Sequence, residues 1–168
     1  MKKIVSKKKS DQYDITVGYI ASLRRSEGEL GLIIKGHLLV EYILNQMVEK
    51  SFKKPEVFFK DNRANSFSVK LNILYSLGLI PTNIYKNIVS VNKIRNQYSH
   101  NLKVESDKLT FNYYREDKEI NNKEYFSKMK NPEREYIKLL CFGTLTELRN
   151  HYMKEFGDQP KFSLDNLP

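Results

Sequence analysis

The residue types best suited to catalysis lie together in the run IRNQYSHN, at positions 94–101. Arg95 and His100 are five residues apart, so on an ideal helix their side chains point roughly 140° apart around the axis. Asn96 and His100 are four residues apart and share a face. A long Arg95 side chain that wraps toward that face would complete a cluster of a cation, an amide and an imidazole at one helix end.

This cluster suits phosphodiester chemistry. An imidazole titrates near neutral pH and acts as a general acid or base, while a guanidinium binds phosphate oxygens in a fork and stabilises charge that develops in the transition state. RNA supplies its own nucleophile, the 2′-hydroxyl, so the reaction needs neither a metal ion nor a protein nucleophile. The alternative is that Arg95 and His100 only cap the negative end of the helix.

Other catalytic and metal-binding patterns are missing from the sequence. His37, His100 and His151 fall in separate segments, and no Cys or His pair has the spacing of zinc ligands. The chain has no glycine-rich phosphate loop, no Gly-x-Ser-x-Gly elbow and no His-Glu-x-x-His run. We therefore predict no metal and no other cofactor, and we expect structural roles for His37, His151 and the single cysteine, Cys141.

The segments that must position the cluster are mostly helical. The sequence has 7 glycines and 5 prolines, and apolar residues recur at three- and four-residue spacing in several segments. Ser26 followed by Glu29 forms a capping-box pattern at the start of the longest segment. Alternation around 109–114 predicts a strand or a short hairpin. The predicted helices are 14–24, 26–52, 67–79, 81–99 and 132–156.

These elements predict one mostly helical domain with a strand or a short β-hairpin before the last helix. A length of 168 residues fits a single domain with one hydrophobic core. We assign 13–157 to the helical domain, 1–12 to a basic flexible tail and 158–168 to a C-terminal tail.

The charge balance favours a polyanionic partner. The 29 Lys and Arg residues outnumber the 20 Asp and Glu residues, which gives a net charge of +9, and such an excess attracts nucleic acid above all. Five of the lysines lie in the first nine residues, and without them the net charge is +4. The basic start has the alternative role of only solvating the chain.

We predict a cytoplasmic protein with no membrane partner. No run approaches the ~18 consecutive apolar residues of a membrane-spanning helix. The lysines near the start are followed by no apolar stretch of the length that a secretory signal needs. A single cysteine cannot form an internal disulfide.

The run Arg95-Asn96-x-x-Ser99-His100 resembles the Arg-x4–6-His motif of the HEPN superfamily, small all-helical domains found in prokaryotic toxins, abortive-infection systems and RNA-processing enzymes. The layout upstream is similar to the mannitol-operon-repressor-like branch of that superfamily. That branch shares a Leu-Gly-Leu-Ile segment, here residues 77–80, before an Ile-Arg-Asn segment. The resemblance extends from the long helix through the final one.

The resemblance implies an all-α, up-and-down bundle of four to five helices that homodimerises, with the motif helices of two protomers facing each other across a cleft. Enzymes of the family cut RNA without a metal ion and leave a cyclic phosphate and a 5′-hydroxyl. Arg95 and His100 from both chains would form the composite site, and Asn96 would hold its geometry.

Three further residues are candidates by the same resemblance. An acidic residue on an earlier helix often faces the motif, and Glu41 would be that residue, orienting Arg95; the alternatives are a solvated charge or a structural ion pair. Ser99 and Tyr98 are candidates for RNA contacts, although Tyr98 also fits the apolar stripe of its helix and is favoured for core packing.

Two features bear on regulation and substrate contacts. Family toxins neutralised by nucleotidyltransferase antitoxins carry a modified Tyr two residues after the motif His, where this chain has Leu102, so that route is not expected. The insertion 102–129 holds Tyr113, Tyr114 and Arg115 and either adds RNA contacts by stacking and charge or forms a surface flap.

The sequence thus favours a metal-independent endoribonuclease that acts as a toxin or phage-defence effector. Its partners would be RNA, a second copy of the chain and an antitoxin or other regulatory protein. One alternative is a non-catalytic, mannitol-repressor-like transcriptional regulator that acts by binding protein or nucleic acid. Another is a nucleotide-binding pocket at a dimer interface.

Overall fold

The computed structural model describes residues 28–100, 109–116, 118–121 and 123–161. Within these ranges the chain forms six helices and one two-stranded antiparallel sheet. In chain order the elements are α1 (Gly28–Ser51), α2 (Pro55–Lys60), α3 (Phe67–Ser76), α4 (Thr82–His100), β1 (Asn112–Arg115), β2 (Lys118–Asn121), α5 (Lys123–Ser127) and α6 (Pro132–Phe156).

The predicted all-α bundle with a short hairpin before its last helix is confirmed. Four predicted helices correspond to α1, α3, α4 and α6, with ends that differ by up to three residues. The largest difference is at α3, which ends early because the chain turns at Gly78, whose φ of 73° few other residues adopt. The short helices α2 and α5 were not predicted, and the predicted helix at 14–24 and the basic tail lie outside the described residues.

The hydrophobic core lies around α1, which packs against α3, α4 and α6. Ile43 and Met47 on α1 are fully buried among apolar residues of these helices. α6 approaches α1 closely at Gly36, where a Cβ atom would lie 2.7 Å from Cys141 Sγ. A larger residue at position 36 would force the two helices apart.

α1 and α4 run antiparallel, which places the start of α1 beside the end of α4. His37 in α1 lies against Asn92 in α4, with 3.1 Å between His37 Nε2 and Asn92 Oδ1. Burial raises the pKa of Tyr98, near the end of α4, to about 12, and the nearby carboxylates of Glu29 and Glu133 add to the shift. The first turns of α1 and α6 therefore meet the last turns of α4 at one end of the bundle.

The β-hairpin is fastened to α4 by a buried side chain. The Asn87 amide donates to the Tyr114 carbonyl oxygen at 2.7 Å and accepts from the Tyr114 N–H at 2.9 Å. Asn87 is fully buried. Its side chain bonds the two backbone groups of Tyr114 that a neighbouring strand would otherwise bond. On the other side of β1, Tyr113 packs against Gly143 of α6, and its hydroxyl donates to Glu147 at 2.8 Å.

Across the part of the chain that the structure describes, no helix combines the length and the apolar character needed to cross a lipid bilayer.

Candidate functional site

The predicted motif lies on the last two turns of α4, where core packing fixes the helix and leaves the polar side chains outside. Ile94 and Tyr98 are buried, with 4% and 7% of their surface exposed. Arg95, Asn96, Ser99 and His100 are exposed. The burial of Tyr98 confirms the core packing that was favoured for it from the apolar stripe.

The Arg95 guanidinium is turned toward Asn96. Arg95 Nη1 donates to Asn96 Oδ1 at 3.0 Å, and Asn96 stands one helical turn before His100 on the same face. Arg95 is therefore directed around the helix toward the side on which His100 lies. Ser99 Oγ donates to the Arg95 carbonyl oxygen at 2.9 Å, which commits its proton within the helix and leaves its oxygen as an acceptor.

Glu41, the predicted orienting acid, is paired with a lysine of α3. Lys70 Nζ lies 2.7 Å from Glu41 Oε1 and 2.7 Å from Asn45 Oδ1. The Lys70 side chain is 2% exposed and that of Glu41 is 29% exposed. The structural ion pair that was the alternative for Glu41 is present, while a role for Glu41 in orienting Arg95 stays a prediction.

His37 connects three helices beside the motif. Its Nε2 faces an amide oxygen of Asn92, which only accepts, so Nε2 carries the proton and donates. Its ring stacks on Phe67, the first residue of α3, with 4.1 Å between centroids. Burial lowers the pKa of His37, and the positive charges of Arg95 and Lys70 lower it further, against the opposing effect of Glu41.

A neutral imidazole thus lies inside the bundle next to the Arg95 charge. The hydrogen bond and the stacking of His37 agree with the structural role expected for it. Its position beside the motif could not be predicted, because Asn92 is 55 positions away along the chain. The one local signal was the four-residue spacing between His37 and Glu41, which puts both on one face of α1.

The start of α1 carries an apolar stripe that faces solvent, formed by Leu30, Ile34 and Leu38. These residues are spaced by four and are 37%, 39% and 40% exposed. Phe67, the first residue of α3, stacks on His37, and Lys70 of α3 bonds Glu41. The described part of α3 therefore covers this side of α1 only from His37 toward the C-terminal end of α1. The stripe lies at the same end of the bundle as the motif.

Aromatic residues of the hairpin differ in what they present to solvent. Tyr113 is buried, and burial together with the hydrogen bond to Glu147 raises its pKa. Tyr114 is half-buried, and Lys86 Nζ of α4 lies 4.8 Å from the centre of its ring. Arg115 is exposed. Of the three insertion residues that were candidates for RNA contacts, Tyr114 and Arg115 reach the surface and Tyr113 does not.

One surface cavity lies away from the predicted residues. It has a volume of about 530 Å³ and is lined mostly by apolar residues of α5, of α6 and of the connection between them, among them Tyr125, Leu139 and Met129. No predicted site residue lines it. Within the described ranges, no three His, Cys, Asp or Glu side chains are grouped to hold a metal ion.

Comparisons of the chain with protein-family models, with curated proteins and with solved structures give no match.

Proposed function

We propose that this protein is a metal-independent endoribonuclease of the HEPN type that acts as a homodimer. The observation that carries the proposal is the exposed group of Arg95, Asn96 and His100 on the last turns of α4, a helix held rigidly by the buried Ile94 and Tyr98. Rigid placement of a guanidinium and an imidazole on a solvent-facing surface is what phosphoryl transfer requires from a protein.

In the proposed reaction, the RNA 2′-oxygen attacks the adjacent phosphorus and the bond from phosphorus to the 5′-oxygen breaks. His100 of one protomer, in its neutral form, takes the 2′-hydroxyl proton, and His100 of the second protomer, in its protonated form, gives a proton to the departing 5′-oxygen. Arg95 binds the non-bridging oxygens, where negative charge increases in the transition state. The products are a 2′,3′-cyclic phosphate and a 5′-hydroxyl, and the two imidazoles have exchanged protonation states.

Two copies are part of the proposal because one protomer does not bring two imidazoles together. His37 is neutral, buried and bonded to Asn92, so it is not available as the second proton carrier. The exposed Leu30, Ile34 and Leu38 stripe lies at the motif end of α1. Covering this stripe with a second copy would bring the two α4 ends close to each other.

The direct test is RNA cleavage by the purified full chain in the presence of EDTA. We expect cutting of single-stranded RNA, with cyclic-phosphate and 5′-hydroxyl ends identified by mass spectrometry. His100→Ala and Arg95→Ala should each lower the rate by at least ~100-fold. Arg95→Lys should restore little of the cleavage rate, because lysine keeps the charge but loses the bidentate contact with phosphate.

The matched control is Arg63→Ala, which removes one exposed arginine from the loop before α3. It should leave the rate unchanged. Thermal melting of all four variants should lie close to that of the wild type, because each altered side chain is exposed. An intact fold with RNA binding but no cutting under any condition would overturn the proposal and favour a non-catalytic regulator.

A further inference from the structure

α4 differs from the other long helices in its charge. Its 19 residues, Thr82–His100, include Lys86, Lys93, Arg95 and His100 and no Asp or Glu. α1 and α6 carry charges of both signs. The helix that ends in the motif therefore carries basic residues without any acidic residue to offset them.

Three of these residues form one line along the outside of α4. Lys86, Lys93 and His100 are spaced by seven, and a seven-residue step drifts by only ~20° around a straight helix. All three are exposed, while Ile88 and Val91, which point to the other side of the helix, are fully buried. From Lys86 to His100 this α4 basic stripe is roughly 21 Å long.

The β-hairpin packs beside the end of the α4 basic stripe that lies farther from His100. Lys86 Nζ lies 4.8 Å from the centre of the Tyr114 ring, a cation–π contact that holds the lysine in place. Asn87 fixes Tyr114 through two hydrogen bonds to its backbone. The next residue, Arg115, adds an exposed cation, and its 3.8 Å contact with Glu116 is between two largely exposed side chains, so it withdraws little of that charge.

Resting on the proposed function, we propose that the α4 basic stripe is a track for single-stranded RNA that delivers the scissile phosphate to His100. Phosphates bind Lys93 and Lys86 in turn, and the strand leaves past Tyr114 and Arg115. A single row of cations matches one sugar–phosphate backbone, whereas duplex RNA is contacted across its wide minor groove on two strands. The lysines stand away from the reacting phosphate, so they contribute to binding and not to the chemical step.

The test uses the full chain and a short fluorescein-labelled single-stranded RNA that carries 2′-O-methyl groups and is not cut. Fluorescence anisotropy over a range of salt concentrations gives the dissociation constant. The variant Lys86→Ala/Lys93→Ala should bind at least ~10-fold more weakly, and the slope of log K against log salt should fall by about 1.4, since each phosphate contact on a single strand contributes ~0.7.

The matched control is Lys53→Ala/Lys54→Ala, which removes two exposed lysines after the end of α1, opposite to the motif. It carries the same charge change and should bind within about 2-fold of the wild type. Equal weakening by the two double variants would overturn the track, because the effect would then be one of net charge alone. Equal or tighter binding of a duplex of the same length would overturn the assignment to single strands.

Cleavage of unmodified RNA separates this inference from the function on which it rests. If the protein cuts RNA, Lys86→Ala/Lys93→Ala should raise KM by at least ~10-fold and change kcat by less than ~3-fold, while His100→Ala should abolish kcat. Cutting with an unchanged KM in the lysine variant would refute the track and leave the ribonuclease intact. The ribonuclease proposal is tested separately. It is refuted if the wild type does not cut RNA, whatever the binding measurements show.

Discussion

At the scale of single residues, His37 is held neutral by its surroundings. Burial removes water from the imidazole, and two cations, Lys70 on α3 and Arg95 on α4, oppose a further positive charge. The hydrogen bond to Asn92 and the carboxylate of Glu41 act in the other direction without reversing the result. Protonation of His37 in the folded protein would therefore lower the free energy of unfolding.

This environment predicts that acid destabilises the wild type through His37. The pKa of His37 is lowered from its ordinary value of 6.5 on folding, so below pH 6.5 the unfolded chain binds more protons than the folded one. The stabilising effect is complete above pH 6.5 and is lost as the pH falls toward the lowered value. Denaturant unfolding from about pH 7.5 to about pH 5.5 should show this decline.

The matched variant is His37→Gln, which does not titrate and keeps a donor for Asn92. Its free energy of unfolding should fall less than that of the wild type over the same pH range. His100 and His151 are present in both proteins, so their contributions cancel in the comparison. Parallel pH curves for the two proteins would contradict a lowered pKa of His37.

Lys70 allows a second prediction at the residue scale. Its nearly fully buried ammonium bonds Glu41 and Asn45, and removing one partner of a buried pair leaves the other without compensation. Because Glu41 remains 29% exposed, water takes over part of the lost interaction. Lys70→Met should therefore destabilise the fold by about 2 kcal/mol in denaturant unfolding.

The double variant Lys70→Met/Glu41→Leu separates charge from packing. With both charges gone, no group of the pair is left unpaired, so its free energy of unfolding should lie closer to the wild type than that of Lys70→Met alone. A double variant less stable than Lys70→Met would show that packing and not charge dominates at this place.

Helical periodicity was enough to favour Tyr98 as a core residue, and its burial agrees. The same periodicity left open whether Ile94 or Arg95 belongs to the apolar stripe, and in the structure Ile94 is buried and Arg95 is exposed. The partners of His37 and Glu41 could not be predicted, since Asn92 and Lys70 come from other helices and spacing along the chain says nothing about which helices meet. Long-range pairing is decided by packing and not by local propensity.

At the scale of elements, one buried side chain of α4, that of Asn87, hydrogen-bonds the backbone of the hairpin. Asn87 satisfies both polar groups of the Tyr114 backbone in a buried place. Asn87→Ala would leave a backbone N–H and a carbonyl without partners, at a cost of about 1–3 kcal/mol for each group. We expect residues 112–121 to lose protection from hydrogen exchange before the rest of the domain does.

The control for this prediction is Asn72→Ala. Asn72 is exposed and accepts a hydrogen bond from the Tyr85 hydroxyl at 3.0 Å, so its loss exposes no buried polar group and should cost less than ~1 kcal/mol. Hydrogen exchange measured by mass spectrometry distinguishes the two variants by region. Unchanged exchange of the hairpin in Asn87→Ala would mean that packing of Tyr113 against Gly143 is sufficient to hold it.

The elements themselves were predictable to different degrees. The long helices and the hairpin follow from periods of 3.6 and 2 in the apolar pattern, and Pro132 marks the first turn of α6. The short helices α2 and α5 span six and five residues, too few for any period to emerge. They form where the connecting chain packs Phe58 and Phe126 against the core, which is a tertiary effect.

At the scale of the whole molecule, the exposed Leu30, Ile34 and Leu38 stripe predicts self-association. Ile34→Lys/Leu38→Lys would place two cations where the proposed second copy packs, so we expect a dimer of the wild type to become a monomer in sedimentation velocity. Since the proposed site needs an imidazole from each copy, RNA cleavage should be lost together with the dimer.

The matched control is Val57→Lys, which puts a cation in place of another exposed apolar residue, 62% exposed on α2. It should leave both the sedimentation coefficient and the cleavage rate unchanged. A wild type that sediments as a monomer at all concentrations, yet cuts RNA, would contradict the composite site.

Self-association was reached from sequence only through family resemblance, and the reason is physical. An apolar residue at helical spacing is equally consistent with the core and with an interface, and only the bundle shows that Leu38 is 40% exposed. Net charge was predictable from composition, but the exposure of the α4 basic stripe emerged only when the buried side of that helix was known.

The close approach of α1 and α6 at Gly36 also makes Cys141 an internal reporter of how often these helices separate. The thiol is fully buried, and burial raises its pKa to about 12, so a disulfide reagent has almost no thiolate to react with while the helices are in contact. Because the chain has one cysteine, every modified molecule has opened at this place. The modification rate of the unaltered protein therefore measures core opening, and any ligand that tightens the bundle will slow it by a readable amount.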